Sequence, residues 1–176
     1  MEKYILLLVF LMILLVVAVS GCLSLEDEYE NSILSFKIPE NWTVVDATNL
    51  DILAGLKPVG TNTTLIDIST TDVSPQELVD GYIKKYSQKN SNFKILKNEP
   101  VTIDGEEGVR LIYKIGKNPE DQLNSSYYVS SVVAFSKNNY TYIISSVEVS
   151  NKDYITKVEP AMNKVTSTIK IKGYFT

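Results

Sequence analysis

Fifteen consecutive residues from Ile5 to Val19 are apolar, and no later stretch of the chain resembles them. From Ser32 onward the apolar positions come in short sets with two different periods. Ile33, Leu34, Phe36 and Ile38 predict a first strand closed by Pro39, a turn at Glu40-Asn41, and a second strand over Trp42 to Val45. Asn49 to Leu56 reads as a short helical turn before Lys57-Pro58. Leu65 to Ser69 alternates, as a strand with one buried face does. Ser74-Pro75-Gln76-Glu77 then has the form of a helix start: a capping serine, proline in the first turn, and glutamate three residues after the cap. Leu78, Val79, Tyr82, Ile83 and Tyr86 place one apolar stripe on that helix. Lys84, Lys85 and Lys89 stand near its far end, where the helix dipole favours cations.

Four strands are expected after this helix. Phe93 to Val101 is the first, weakened by Pro100. Gly105 and Gly108 are read as flanking a turn into Val109 to Ile115, and Asn118-Pro119 and Asn124 mark a loop. Tyr127 to Phe135 and Tyr140 to Val149 form a hairpin through Lys137-Asn138-Asn139, since asparagine tolerates the left-handed conformation of tight turns. Val129, Val133 and Phe135 line one face, and Ile143, Val147 and Val149 form another alternating set. Ile155, Val158, Met162, Val165 and Ile169 are spaced as a closing amphipathic helix. Pro160 interrupts it, and of a kink or an irregular turn before a regular helix near Pro160, the second is favoured. The pattern is that of an α+β fold, an antiparallel β-sheet flanked by helices on both faces.

Charge and composition narrow the chemistry. The formal net charge is -4, which leaves no electrostatic footprint for nucleic acid. The chain has no histidine. That excludes a Ser-His-Asp triad, a Cys-His pair and any His-ligated metal. Its one cysteine, Cys22, rules out a disulfide within the chain.

The opening run follows Glu2-Lys3-Tyr4 and ends in Ser20-Gly21-Cys22, which describes a signal peptide. Fifteen helical residues span about 22 Å, at about 1.5 Å per residue, short of a hydrocarbon core of about 30 Å. Val19-Ser20-Gly21-Cys22 resembles the lipobox of lipoproteins, in which cleavage precedes a cysteine whose thiol carries a diacylglycerol. The resemblance implies a signal peptide over residues 1–21, a lipidated acidic tether over 22–31 and a domain over 32–176. Two acyl chains suffice for stable anchoring. The alternative is an uncleaved helix from Ile5 to Leu25. Either way the domain is held at the outer face of the membrane. Glu26, Asp27, Glu28 and Glu30 read as a hydrated spacer rather than a metal site, because an oxygen cage needs turn glycines and alternating ligands.

Ile33-Leu-Ser-Phe-Lys-Ile-Pro-Glu-Asn-Trp42 resembles the opening strand, proline, turn and tryptophan of PsbP-like domains, whose relatives include the DcrB lipoproteins. Gly108-Val-Arg-Leu-Ile-Tyr113 is similar to the middle strand of that pattern and Tyr140-Thr-Tyr-Ile-Ile-Ser-Ser146 to a late strand. Tyr154, Pro160, Met162, Val165 and Ile169-Lys-Ile171 resemble the closing helix and the short segment after it. The resemblance covers about Ser32 to Ile171 and lies in core positions. It implies a sheet sandwiched by helices and a non-enzymatic accessory or binding role. No cofactor is expected, and the expected partner is an unidentified surface or membrane protein. Together with the lipobox it points to an archaeal-type surface lipoprotein. A shared fold does not by itself carry a function.

Four Asn-X-Ser/Thr triplets, at Asn41, Asn62, Asn124 and Asn139, fall at predicted turns and are candidate glycosylation sites in an exported chain. Arg110, the one arginine, shares a strand face with Ile112 and Lys114. It suits either a carboxylate clamp or an ion pair with a nearby acid. Tyr127, Tyr128, Tyr140 and Tyr142 fall on one hairpin, where they serve as strand residues or stack on a sugar or a partner protein. No G-x-S-x-G elbow or phosphate-cradling glycine loop is present. A carboxylate pair could still do acid-base work without histidine, but Glu106-Glu107 and Glu120-Asp121 are expected in loops, and neighbours in sequence do not make a shared site. No catalytic and no metal-binding residue is assigned. The expected protein is an extracytoplasmic, lipid-anchored interaction module, with a solute- or glycan-binding lipoprotein as alternative and a carboxylate-dependent hydrolase behind it.

Overall fold

The computed structural model describes residues 27–45, 52–89, 92–116 and 127–173. A three-stranded sheet is formed by β1 (Glu28–Glu30), β2 (Leu34–Lys37) and β11 (Lys170–Ile171), in the order β1-β2-β11. The larger, eight-stranded sheet runs β3 (Trp42–Val45), β4 (Ile52–Pro58), β5 (Ile66–Thr71), β9 (Tyr140–Ser146), β8 (Tyr127–Lys137), β7 (Glu106–Gly116), β6 (Lys94–Ile103), with β10 (Val149–Ser150) added against β8. Every pairing is antiparallel. Helix α1 (Pro75–Lys89) enters between β5 and β6. The chain closes with α2 (Asn151–Asp153), a π-helical turn (Tyr154–Val158) and α3 (Glu159–Thr168) before β11. The protein is thus a mixed α+β fold dominated by antiparallel sheet.

Two hydrophobic clusters hold it together. α1 buries Val79 completely against Leu111, Tyr113, Ile115, Val132 and Ile143. A fully buried valine of this kind is worth about 1.5–3 kcal/mol. The second, larger cluster joins Tyr154, Val158, Met162 and Val165 to Leu34 and Phe36 of β2 and to Ile112, Val133, Phe135, Tyr142 and Ile144. Sequence neighbours on β7, β8 and β9 therefore divide between the two clusters: Leu111 from Ile112, Val132 from Val133, Ile143 from Ile144. Successive strand residues point to opposite sides of a sheet, so the three central strands are apolar on both sides.

The local predictions hold where a specific residue dictates the backbone. Asn138 (φ 54°) and Asn139 (φ 68°) both adopt the left-handed conformation of a two-residue hairpin turn, and Asn41 (φ 62°) turns the chain into β3. The capping box closes as expected: the Ser74 hydroxyl donates to Glu77 Oε2 at 2.7 Å, and the Glu77 amide lies 3.4 Å from Ser74 Oγ. Pro100 sits on β6, the last strand of the sheet, where a missing N–H is tolerated.

Several expectations are corrected. The supposed helical turn before Lys57-Pro58 is strand from Ile52 to Pro58; a register shift between Ile52 and Ala54 breaks the alternation that marks a strand. The acidic spacer does not extend to residue 31. Glu28–Glu30 pairs with Ser35–Lys37, and the Tyr29 ring lies 5.2 Å from that of Phe36. Gly108 is not part of a turn but lies within β7, where a Cβ would come within 2.5 Å of the Ala134 carbonyl and 2.9 Å of Phe135 Cβ. The late strand ends at Ser146, and Val149 re-pairs with Val129 after a break, leaving the cluster of Ile143 for the other one. The irregular turn before the closing helix is the π-helical one. Its wider winding turns Tyr154 inward at 4% exposure and leaves Ile155 outside at 54%. Pro160 is then the second residue of α3, directly after the wide turn, in a helical stretch that runs on from Asn151.

Candidate functional site

The capping box at Ser74 and Glu77 fixes the start of α1 over the far ends of β6 and β7. Between them lies an open cleft of about 610 Å³ lined by Ser74, Pro75, Gln76, Pro100 to Thr102 and Glu107 to Val109. Gly108 allows β8 to close behind it. Among the described residues Glu107 is the one ionisable member of this lining. The nearby Glu77 carboxylate is committed to the helix cap. A single carboxylate can accept a hydrogen bond or meet a cation, but acid-base hydrolysis needs a second group to share the proton work. Glu106 does not supply it. As the next residue along the strand it points to the other side, with Oε1 3.8 Å from Lys137 Nζ. Among the described residues no group of three carboxylates or thiols is gathered as it would be around a metal ion.

Arg110 is half-buried and faces the closing helix, its Nη2 lying 3.4 Å from Thr166 Oγ1, with Glu99 and Val133 as cross-strand neighbours. Burial raises the Tyr154 hydroxyl above the ordinary tyrosine range, against the opposing effects of a hydrogen bond with Ser131 and the charge of Arg110. Arg110 therefore sits at the seam between sheet and helix. The hairpin tyrosines are not gathered in the cleft. Tyr142 is fully buried and stacked 5.5 Å from Phe135, and its hydroxyl has no hydrogen-bond partner among the described residues. Tyr127 lies under the Lys114 ammonium at 4.2 Å. A separate aromatic group, Tyr82, Tyr86, Phe93 and Tyr113, with centroids 5.0–6.4 Å apart, underlies α1. Asn41, Asn62 and Asn139 are exposed. Cys22, Asn124 and the Glu120-Asp121 pair lie outside the described residues.

Asp104 was not anticipated as a key residue. It occupies the β6–β7 turn at φ 51°, followed by Gly105 at 84°. Its side chain, 8% exposed, accepts from Lys137 Nζ at 2.7 Å, Lys170 Nζ at 2.9 Å and the Ile171 amide at 2.9 Å. Burial pushes its carboxyl up, but the Ile171, Lys137 and Lys170 hydrogen bonds outweigh this and hold it below the usual carboxylate range. The signal available in the sequence was Asp-Gly at a hairpin position. Its partners, 33, 66 and 67 residues away, carried none.

An antiparallel sheet of this order, with one helix inserted before its last four long strands and one at the end, is a PsbP-like fold. No protein-family model matches the sequence, and no curated protein matches it. Among solved structures the chain is similar to cyanobacterial PsbP (CyanoP) from Synechocystis sp. PCC 6803, at 13% identity and a TM-score of 0.54, over 86% of this chain and 96% of that one. It is also similar to LpqN, involved in cell envelope biogenesis of Mycobacterium tuberculosis, at 11% identity and a TM-score of 0.53, over 86% of this chain and 88% of that one. At these identities the likeness is one of fold. No helix among the described residues is long and apolar enough to cross a membrane.

Proposed function

We propose that the protein is a non-catalytic accessory module at the outer face of a membrane, anchored by lipid on Cys22 and docking on a surface or membrane protein. In this reading the helices cover both faces of the larger sheet, α1 on one and the π-helical turn with α3 on the other, as the split of neighbouring residues between two clusters supports. The observation that carries the proposal is the cleft: it is open, and among the described residues its lining holds one carboxylate and no tyrosine. That favours a surface used for contact over a catalytic centre. LpqN offers an envelope-related protein of the same fold. The exposed Asn41, Asn62 and Asn139 suit glycosylation on an exported domain.

A second reading keeps the location and makes the cleft a site for a small solute or glycan. Its volume lies within the usual range of ligand sites, about 300–1,000 Å³. Crosslinking on intact cells with identification of the neighbours separates the two. A defined partner protein, lost when Gln76 and Thr102 on the cleft rim are replaced by lysine, supports docking. Recovery of the protein alone, with a solute retained by the purified chain, supports the second reading and sinks the first.

A further inference from the structure

The strand β6 begins at a corner where apolar and basic side chains are exposed together. Ile95 is 38% and Leu96 44% exposed, the one adjacent pair among the large hydrophobic residues that the described structure leaves open. A register shift between Ile95 and Lys97 makes Leu96 the unpaired residue of a β-bulge, on the strand that ends the sheet. Lys94 pairs directly across from Lys114, and Lys97 across from Ile112. Like charges set opposite each other destabilise a sheet unless an anion lies over them. Glu99 offsets only part of this charge, 3.9 Å from Lys97.

Helix α1 brings more lysine to the same end of the sheet, on the side of Ile95 and opposite that of Lys94, Lys97 and Lys114. Tyr86 stacks on Phe93, which precedes β6, at 6.4 Å, and Asn92 lies against Gly116 at the end of β7. Lys85, over the Tyr86 ring, and Lys89, in the last turn of the helix, therefore flank the start of β6. Among the described residues Glu77 on α1 and Asp104 and Glu106 at the β6–β7 turn stand at the opposite ends of these elements, while Glu99 lies on β6 itself and the charge of Glu148 reaches Tyr113, the partner of Ile95.

Two aliphatic side chains are too few to form the core of a protein interface, which takes about 800 Å² from each partner. They are sufficient for a membrane surface, where apolar tips enter the headgroup boundary and lysine stems lie flat with their ammonium groups at the phosphates. The Tyr127 ring beneath Lys114 has the amphipathic character that favours the same boundary. We infer that this corner, Lys89, Lys94, Ile95, Leu96, Lys97 and Lys114, docks the domain on anionic lipid headgroups. The inference deepens the proposed membrane location, on which it rests, by naming the part of the domain that meets the membrane and the lipid chemistry it selects.

The test uses the full chain on vesicles of phosphatidylcholine alone and of phosphatidylcholine with about one third phosphatidylglycerol, an anionic surface that strengthens binding about fivefold per apposed lysine. Flotation with the neutral vesicles reads the N-terminal anchor. Hydrogen exchange of residues 93–98 reads the corner. Anionic lipid is expected to slow that exchange by about fivefold or more relative to neutral lipid and to leave β3, at the other edge, unchanged. High salt, or Lys94→Glu with Lys114→Glu, is expected to abolish the difference. Leu96→Ser, at an exposed bulge, is expected to keep the fold and reduce it. Equal exchange on the two lipids while the chain floats on both overturns the corner and leaves the anchor standing. Flotation on anionic vesicles alone, with residues 93–98 protected, supports the corner and overturns the anchor. Flotation on neither overturns both, and protection of β3 in place of β6 overturns the corner.

Discussion

Replacing Asp104 by asparagine removes one negative charge from a junction that ties three distant segments together. Asparagine tolerates the left-handed turn and keeps an oxygen for the Ile171 amide, so backbone strain and that bond change little. The Lys137 bond is different. Its side chain is 22% exposed and the pair spans 2.7 Å, so turning a charge-assisted bond into a neutral one forfeits part of the about 1.5–3 kcal/mol such bonds contribute. The Lys170 side chain is 65% exposed, which holds its share to at most about 1 kcal/mol. The expected cost of Asp104→Asn is about 2 kcal/mol at neutral pH, or about 4–8 °C in Tm for a domain of this size. Because the folded-state pKa of Asp104 is lowered, its contribution is fully present above the unfolded value of about 3.9 and is lost as pH falls through the folded value. Urea unfolding of both proteins should therefore show a constant gap between about pH 5 and 7 that closes in more acidic solution. Equal stability at pH 7, or a gap that persists in strong acid, would refute the reasoning.

Other substitutions probe separate links. Asp67 has its carboxyl raised by burial, so its charge is a burden at neutral pH: Asp67→Asn should be neutral or stabilising at pH 7, with any gain vanishing as pH falls toward about 4. A loss of stability at pH 7 in denaturant titrations would contradict this. Gly108→Ala forces a Cβ against the Ala134 carbonyl and should cost about 1–3 kcal/mol in thermal unfolding, and an unchanged Tm would show that β7 and β8 part without cost. Tyr142→Phe removes a buried hydroxyl that has no partner among the described residues and should be neutral or slightly stabilising; a loss above about 1 kcal/mol would reveal a bond to that oxygen. Ser74→Ala should cost about 1 kcal/mol by opening the cap of α1, seen as faster exchange in the first helical turn.

Much of the fold is legible wherever one residue type dictates local geometry. The paired asparagines, the Ser74 cap and the late β8–β9 hairpin belong to this class. The features that the sequence hides depend on partners far along the chain. Glu28-Tyr29-Glu30 is polar enough to pass for spacer, and only its pairing with β2 makes it strand. Ile52 to Pro58 loses its alternation to a bulge, and its buried Leu53, Ala54 and Leu56 read equally as helix. Ile155 had the right spacing for a regular helix, but the π-helical turn gives the inward position to Tyr154. The face of Arg110 came from simple alternation, whereas its contact with Thr166, 56 residues on, did not. The cleft was equally illegible, since its two walls are brought together only by the packing of α1 on β7.

The proposed role depends first on where the domain is held, and the intact mass of the protein recovered from the membrane fraction tests this most directly. The account predicts a chain that begins at Cys22 and carries the added mass of a diacylglycerol, and a Cys22→Ser protein that is released or left unprocessed. A membrane-bound chain that retains Met1 with an unmodified Cys22, and a Cys22→Ser protein indistinguishable from it, would contradict the lipid anchor.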